Sequence, residues 1–205
     1  GETVLTGTAT VVAPDRTIEW PLKRSPDVSL RHHNRYEDLV REARRLPPVR
    51  AAIVHPCSAS AIAGAIEARD EGLLDPLLVG PEHKIRAAAE AAQVSLDGIP
   101  IEPVEHSHAA ADRAVELAVA GKVAVLVKGS LHTDELLGAV VAPTSGLRTE
   151  RRISHVYAMD VPAYDKPLVV TDAAINIQPT LEHKRDICQN AIDLLRTLGM
   201  EEPRV

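Results

Sequence analysis

Phenylalanine is absent from the 205 residues, which hold one tryptophan and three tyrosines. An interior here has to be built from Ala, Val, Leu and Ile, which suits a parallel sheet under close-packed helices and leaves no aromatic platforms for stacking bases. The two cysteines, Cys57 and Cys188, are too few for a disulfide framework, and neither stands at metal-ligand spacing from a histidine. The expected compartment is therefore reducing. Basic charge is not in excess either: 23 Lys and Arg against 29 Asp and Glu give a formal net charge of -6. This excludes a broad cationic field for nucleic acid or anionic lipid and leaves local patches for small anions. No apolar run approaches the roughly 20 residues that span a bilayer, and residues 1–20 lack the basic start and apolar centre of a signal peptide. The expectation is a cytoplasmic chain with no nucleic-acid or membrane partner, no metal and no tightly bound cofactor.

What is present is a hydrophobic content of 45%, enough for a core of one domain or one and a half. A regular alternation begins at Ala51. Strand-like runs at Ala51 to His55, Pro76 to Val79, Ile99 to Val104 and Val123 to Val127 alternate with helical patterns at Ala59 to Glu71, Glu82 to Gln93, Ala109 to Ala120 and Thr133 to Val141. Strands separated by helices of this length predict right-handed crossovers and an α/β fold of three layers around a mainly parallel sheet. After about residue 150 the pattern changes. Two strand-like segments, Arg152 to Asp160 and Pro167 to Thr171, are joined by a short turn as an antiparallel pair would be, and a helix from Leu181 to Leu198 is closed by Gly199. Before Ala51, residues 3–13 are dense in Thr and Val and read as a strand. A charged, proline-flanked stretch follows, with one helix from Tyr36 to Arg45.

Chemistry concentrates at Lys128-Gly129-Ser130-Leu131-His132-Thr133, between an apolar strand and an apolar helix. A glycine turn opening a helix offers free amides and the positive end of a dipole to an anion. Ser130 and Thr133 could donate hydroxyls, and Lys128 and His132 could neutralise charge. The same residues also fit an ordinary strand-to-helix turn, with Gly129 at positive φ and Thr133 or Ser130 as N-cap. Elsewhere the signals are weaker. His155 reads as a packed strand histidine. His106 and His108 lie at a helix start without a ligand set that specifies a metal. Cys57 sits before a helix, as a stabilised thiolate or as a small packing residue.

Lys128 to Leu136, together with Gly146 to Val156 and Thr171 to Ile177, resembles the phosphate acetyltransferase and phosphate butyryltransferase family, most closely the branch that carries such a domain behind an enoyl-CoA hydratase domain. The resemblance covers Ala51 to Gly199. It implies a two-lobed architecture like that of isocitrate and isopropylmalate dehydrogenases, here truncated: residues 1–22 the remnant strand of a hotdog hydratase domain, 23–50 a linker with a short helix, 51–150 the first lobe and 151–205 the start of the second. It implies reversible transfer of an acetyl or butyryl group between coenzyme A and phosphate, with acyl-CoA and phosphate as small-molecule partners, coenzyme A as substrate and a homo-oligomer in the intact protein. The family's catalytic serine and aspartate fall in a return half that these residues do not include. The catalytic residues are thus unassigned, and the 205 residues alone are expected to transfer no acyl group.

Acetate-specific relatives have Ser-Gly where this chain has Lys128-Gly129, and an arginine where it has Gly138. Arg148 is the candidate replacement, its fork suiting phosphate, against the alternative of a solvated cluster with Arg151 and Arg152. Asp172 resembles a family aspartate at a strand end, and is either a cleft residue or a cap of the turn before Asn176. Two other classes stay open: a metal-dependent hydroxyacid dehydrogenase-like enzyme, and a non-catalytic scaffold or dimerisation module attached to a hydratase.

Overall fold

In the computed structural model, which describes residues 35–161, 164 and 166–205, the apolar runs become strands and the alanine-rich segments between them become helices. The strand expected at residues 3–13 and the boundary at residue 22 lie outside the described residues. In chain order the elements are α1 (Arg35–Ala43), β1 (Val49–Val54), α2 (Ala59–Asp70), β2 (Leu74–Gly80), α3 (Glu82–Ala92), β3 (Ile101–Pro103), α4 (Ser107–Val119), β4 (Val125–Lys128), α5 (Thr133–Val141), β5 (Tyr157–Met159), β6 (Leu168–Val170) and α6 (Leu181–Thr197).

Four strands form one parallel sheet in the order β3-β2-β1-β4. Its central strands read as unbroken apolar runs because both faces are covered, as parallel sheets require. Successive side chains point to opposite faces. On one side Ala51, Ile53 and Leu78 meet Ile62 of α2 and Ile85 of α3. On the other, Ala52, Val54, Leu77 and Val79 meet Ala110 and Ala114 of α4 and Leu136 of α5. The three-layer arrangement expected from the alternation is therefore present.

β3 spans three residues rather than the six expected from Ile99 to Val104. Pro100 and Pro103 cannot donate to a ladder, so pairing there stops early. β5 and β6 pair antiparallel, with Tyr157 opposite Val170 and Met159 opposite Leu168, in a sheet of their own. β5 is also shorter than the expected Arg152 to Asp160, because the residues before it are held elsewhere. The Arg152 amide donates to Asp186 at 3.1 Å, and Asn190 Nδ2 of α6 donates to the Arg152 carbonyl at 2.9 Å. α6 opens on a capping box between Thr180 and His183. It ends at Gly199, whose φ of 89° lets Met200 N reach the Leu195 carbonyl at 3.0 Å.

Candidate functional site

β1 and β4 are neighbours, yet the helices that follow them leave to opposite faces: α2 joins α3, and α5 joins α4. Such a divergence is a topological switch point, and it opens a crevice beyond the carboxyl ends of the strands. The exits His55-Pro56-Cys57-Ser58 and Gly129-Ser130-Leu131-His132 meet there. Gly129 N donates to the Val54 carbonyl and Ser130 N to the His55 carbonyl, each at 2.9 Å. A Cβ on residue 129 would lie 2.6 Å from the Val54 oxygen and 2.8 Å from the His55 oxygen. Close approach to β1 therefore selects glycine; Gly129 is not among the residues at positive φ, which corrects that expectation.

The side chains of the turn are tied into the same junction. Ser130 Oγ donates to Ser58 Oγ at 3.0 Å, and Ser58 is itself the N-cap of α2, accepting from Ala61 N at 3.3 Å. Lys128 Nζ donates to the Leu131 carbonyl at 3.1 Å. The N-cap of α5 is His132, with no side-chain capping bond, so neither Ser130 nor Thr133 caps this helix as expected. With the Gly129 and Ser130 amides spent on β1, the groups left for an anion are the first-turn amides of Thr133, Asp134 and Glu135, which have no carbonyl one turn back. Asp134 and Glu135 already place negative charge at that end.

Beside the turn lie residues that sequence reasoning passed over. His55 ends β1 in the left-handed region, at φ 53°, a conformation that non-glycine residues keep only where the surroundings enforce it. Its Nδ1 is buried without a partner, as is Glu135 Oε2. Burial lowers the His55 pKa, Lys84 lowers it further and Glu135 opposes both, so the balance favours the neutral ring. Burial likewise pushes the Cys57 thiol up, with Lys84 only partly countering, and Cys57 packs against the α2–α3 core. The packing reading of Cys57 holds and the thiolate reading does not. The signal available in the sequence was His-Pro-Cys at a strand exit.

Arg148 is not with the turn. α5 has nine residues, about 13 Å at 1.5 Å per residue, and Arg148 follows its far end, just after Gly146 has passed the side chain of Val119 at the end of α4. There it lines a cavity of about 1020 Å³ with Arg151, Arg152, Asn176 and the first turns of α6; none of residues 128–133 lines it.

Asp172 proves to be a loop organiser. Its carboxylate accepts from the amides of His155 at 3.1 Å, Ala174 at 3.2 Å, Ile175 at 3.1 Å and Asn176 at 3.0 Å, and from Asn176 Nδ2. Burial raises its pKa, but these bonds outweigh burial and bring it to about 2. The His155 ring lies tilted against that of Tyr157, centres 4.2 Å apart, with its Nδ1 buried and unpartnered. Among the described residues no group of three or more His, Cys, Asp or Glu is arranged to hold a metal, and no helix is long and apolar enough to cross a membrane.

Comparison with known proteins agrees with this architecture. The chain is similar to a phosphate acetyltransferase of Rhizobium meliloti, 52% identical over 172 residues that make 84% of this chain and 54% of the relative. It is also similar to a phosphate butyryltransferase of Clostridium acetobutylicum, 32% identical over 68% of this chain and 46% of the relative. The chain thus spans about half the length of the curated relatives it matches. Among solved structures, a phosphotransacetylase from Streptococcus pyogenes superposes with a TM-score of 0.68 at 16% identity, covering 82% of this chain and 60% of that one. A branched-chain phosphotransacylase from Enterococcus faecalis V583 gives 0.63 at 23%, covering 76% and 54%; at these identities the likeness establishes the fold alone. Residues 105–205 match the family described as phosphate acetyl/butaryl transferase, and over that segment the chain is similar to its members.

Proposed function

We propose that this chain forms the phosphate-facing wall of an acyltransferase that moves an acyl group between coenzyme A and inorganic phosphate, with the phosphate at the start of α5. The observation that carries this reading is the interlocked turn at the β1–β4 switch point. Its backbone is immobilised on β1 and its Ser130 hydroxyl on Ser58, while the first-turn amides of α5 have no carbonyl one turn back and the side chains of His132 and Thr133 are exposed. Lys128 holds the turn's carbonyls, and its charge offsets Asp134 and Glu135.

In the reaction a phosphate oxygen attacks the thioester carbonyl and a carbon–oxygen bond forms. The tetrahedral oxyanion then collapses with cleavage of the carbon–sulfur bond, and the departing thiolate takes up a proton. The chemistry needs the two reactants held together and the oxyanion stabilised; the contribution of this turn is to hold phosphate in place. The acid and base are not assigned to residues of this chain. Acetyl is the favoured acyl group, since the acetyltransferase relative is 52% identical and the butyryltransferase 32%, although the Lys128-Gly129 pair departs from the acetate-specific form.

The test is steady-state acyl transfer by the protein that carries this domain, followed through thiol release. Thr133→Val and His132→Ala each remove a donor to a charged ligand, and by the usual worth of such bonds should raise the KM for phosphate about tenfold with little change in the KM for acyl-CoA. Unchanged phosphate dependence in both variants would sink the assignment.

A further inference from the structure

Three departures from a stable structure meet at the exit of β1. His55 holds φ at 53° without being glycine, a strain that proteins keep mainly at functional sites. Its Nδ1 is buried with no hydrogen-bond partner, and so is Oε2 of Glu135 in the first turn of α5. Buried polar atoms are nearly always paired, so each of these orphans requires a reason. The two side chains come from segments far apart in the chain, yet they act on one another. Glu135 favours the charged ring, against burial and against Lys84 of α3. Lys84 also acts on Cys57, two residues on, and Lys128, His132 and Asp134 stand around the neighbouring exit of β4.

The two ring nitrogens differ. Nδ1 is inside, whereas Nε2 has no partner among the described residues and is not buried. An ionised carboxylate only accepts, so in a neutral ring beside Glu135 the proton belongs on Nδ1 and Nε2 carries the free lone pair. The residue stands at the mouth of the switch-point crevice, its own carbonyl bonded to the Ser130 amide at 2.9 Å. An imidazole with a carboxylate on its inner side and a free outer nitrogen is the arrangement of an oriented general base. The hydrogen bonds of such a pair often tighten only when substrate is bound.

We propose that His55 is a catalytic base on the phosphate side of acyl transfer, with Glu135 as its positioning residue. The proposal rests on the reading of this chain as the phosphate-facing wall of an acyltransferase. As a phosphate oxygen bonds to the thioester carbon, the hydroxyl proton of monohydrogen phosphate passes to Nε2, and the imidazolium forms beside the Glu135 carboxylate. The carbon–sulfur bond then breaks with its electron pair on sulfur, and the proton passes from Nε2 through solvent to the thiolate. Acyl-CoA and monohydrogen phosphate give acyl phosphate and coenzyme A, with no further reactant.

The test is acyl transfer at saturating phosphate by the protein that carries this domain. Asparagine tolerates the left-handed region, so His55→Asn removes the ring, keeps the backbone and should leave the melting temperature alone. Its kcat should fall about a hundredfold or more, the usual worth of a positioned base, with the KM for acyl-CoA little changed. His55→Gly relieves the backbone and should lose the same activity, regained in part with added imidazole, a rescue that a packing role does not give. In the parent, kcat should fall as acid protonates the ring. Glu135 favours the charged ring, so Glu135→Gln should move that fall to lower pH, and His55→Asn should abolish it. Full kcat in His55→Asn, or no imidazole rescue in a folded His55→Gly, overturns the assignment. These readouts are separate from the phosphate KM of His132→Ala and Thr133→Val. Loss of kcat here with an unchanged phosphate KM there sinks the α5 turn and leaves His55 standing; the reverse sinks His55 and leaves the turn.

Discussion

Gly129 owes its identity to the strand beside it, and this separates two roles that one turn could combine. The glycine lets β4 finish against the last carbonyls of β1, while Ser130, bonded to Ser58, and His132 on either side of Leu131 stay exposed. Gly129→Ala should therefore cost stability before it costs binding. A Cβ 2.6 Å from the Val54 oxygen meets backbone that cannot swing aside, and overpacking of this kind costs about 1–3 kcal/mol. Urea unfolding is the measurement; a variant as stable as the parent would mean that β4 can slide away from β1. The outward-facing substitutions at the same turn should leave that midpoint unchanged, so stability and phosphate dependence can be read independently. His55 shows the same division. Its backbone is spent on Val79 and Ser130, and its neutral ring, with Nδ1 buried and unpartnered, is the part of the residue that the sheet does not use.

At the scale of elements, the loop after β6 hangs on one carboxylate. Asp172 gathers four amides and the Asn176 side chain, and its pKa falls from 3.8 to about 2. A depressed acid contributes stability that is complete above its unfolded pKa and is lost as pH falls through its folded value. The loop should therefore loosen between about pH 4 and pH 2, seen as faster amide exchange at Ala174, Ile175 and Asn176. In Asp172→Asn those amides should exchange fast at every pH, with no step in that window; a step surviving the substitution would assign it to another group. This loop was half legible. An aspartate before a polar turn announces a cap, but nothing in the residues says that the cap also fixes Asn176 and through it Arg152. The main helices and central strands were readable from apolar periodicity, because burial on one face or on two writes itself into the order of residues. Strand lengths were not, since Pro100 and Pro103 cut β3 and hydrogen bonds to α6 hold the residues before β5. Arg148 was grouped with the turn as the replacement for the arginine that acetate-specific relatives have where this chain has Gly138. A helix between them sends them to opposite ends, and sequence distance does not carry that. The electrostatic influence of Glu135 on His55 was out of reach for the same reason reversed, two distant segments coming near only once the sheet has formed.

Among the described residues, the main buried clusters are the two layers on either side of the parallel sheet, with Ile187 and Ala191 of α6 buried besides. Ile53, 1% exposed at the centre of the α2–α3 side, should cost about 2–5 kcal/mol when cut to alanine. Leu181, 84% exposed at the start of α6, should cost under about 0.5 kcal/mol. Thermal unfolding of the two variants compares them directly, and similar losses would mean that α6 is as much a part of the core as β1. The same interior has an optical consequence. The buried residues around the sheet are aliphatic throughout, Tyr36, Tyr157 and Tyr164 are 66%, 50% and 46% exposed, and Trp20 lies outside the described residues. Tyrosine absorbance and emission, which in most proteins report in part on the melting of the interior, watch only the periphery of the described residues. The sheet and its helices could come apart with these three tyrosines barely registering it, whereas signals from the peptide backbone, far-ultraviolet dichroism or amide exchange, follow the layers that hold the described residues together.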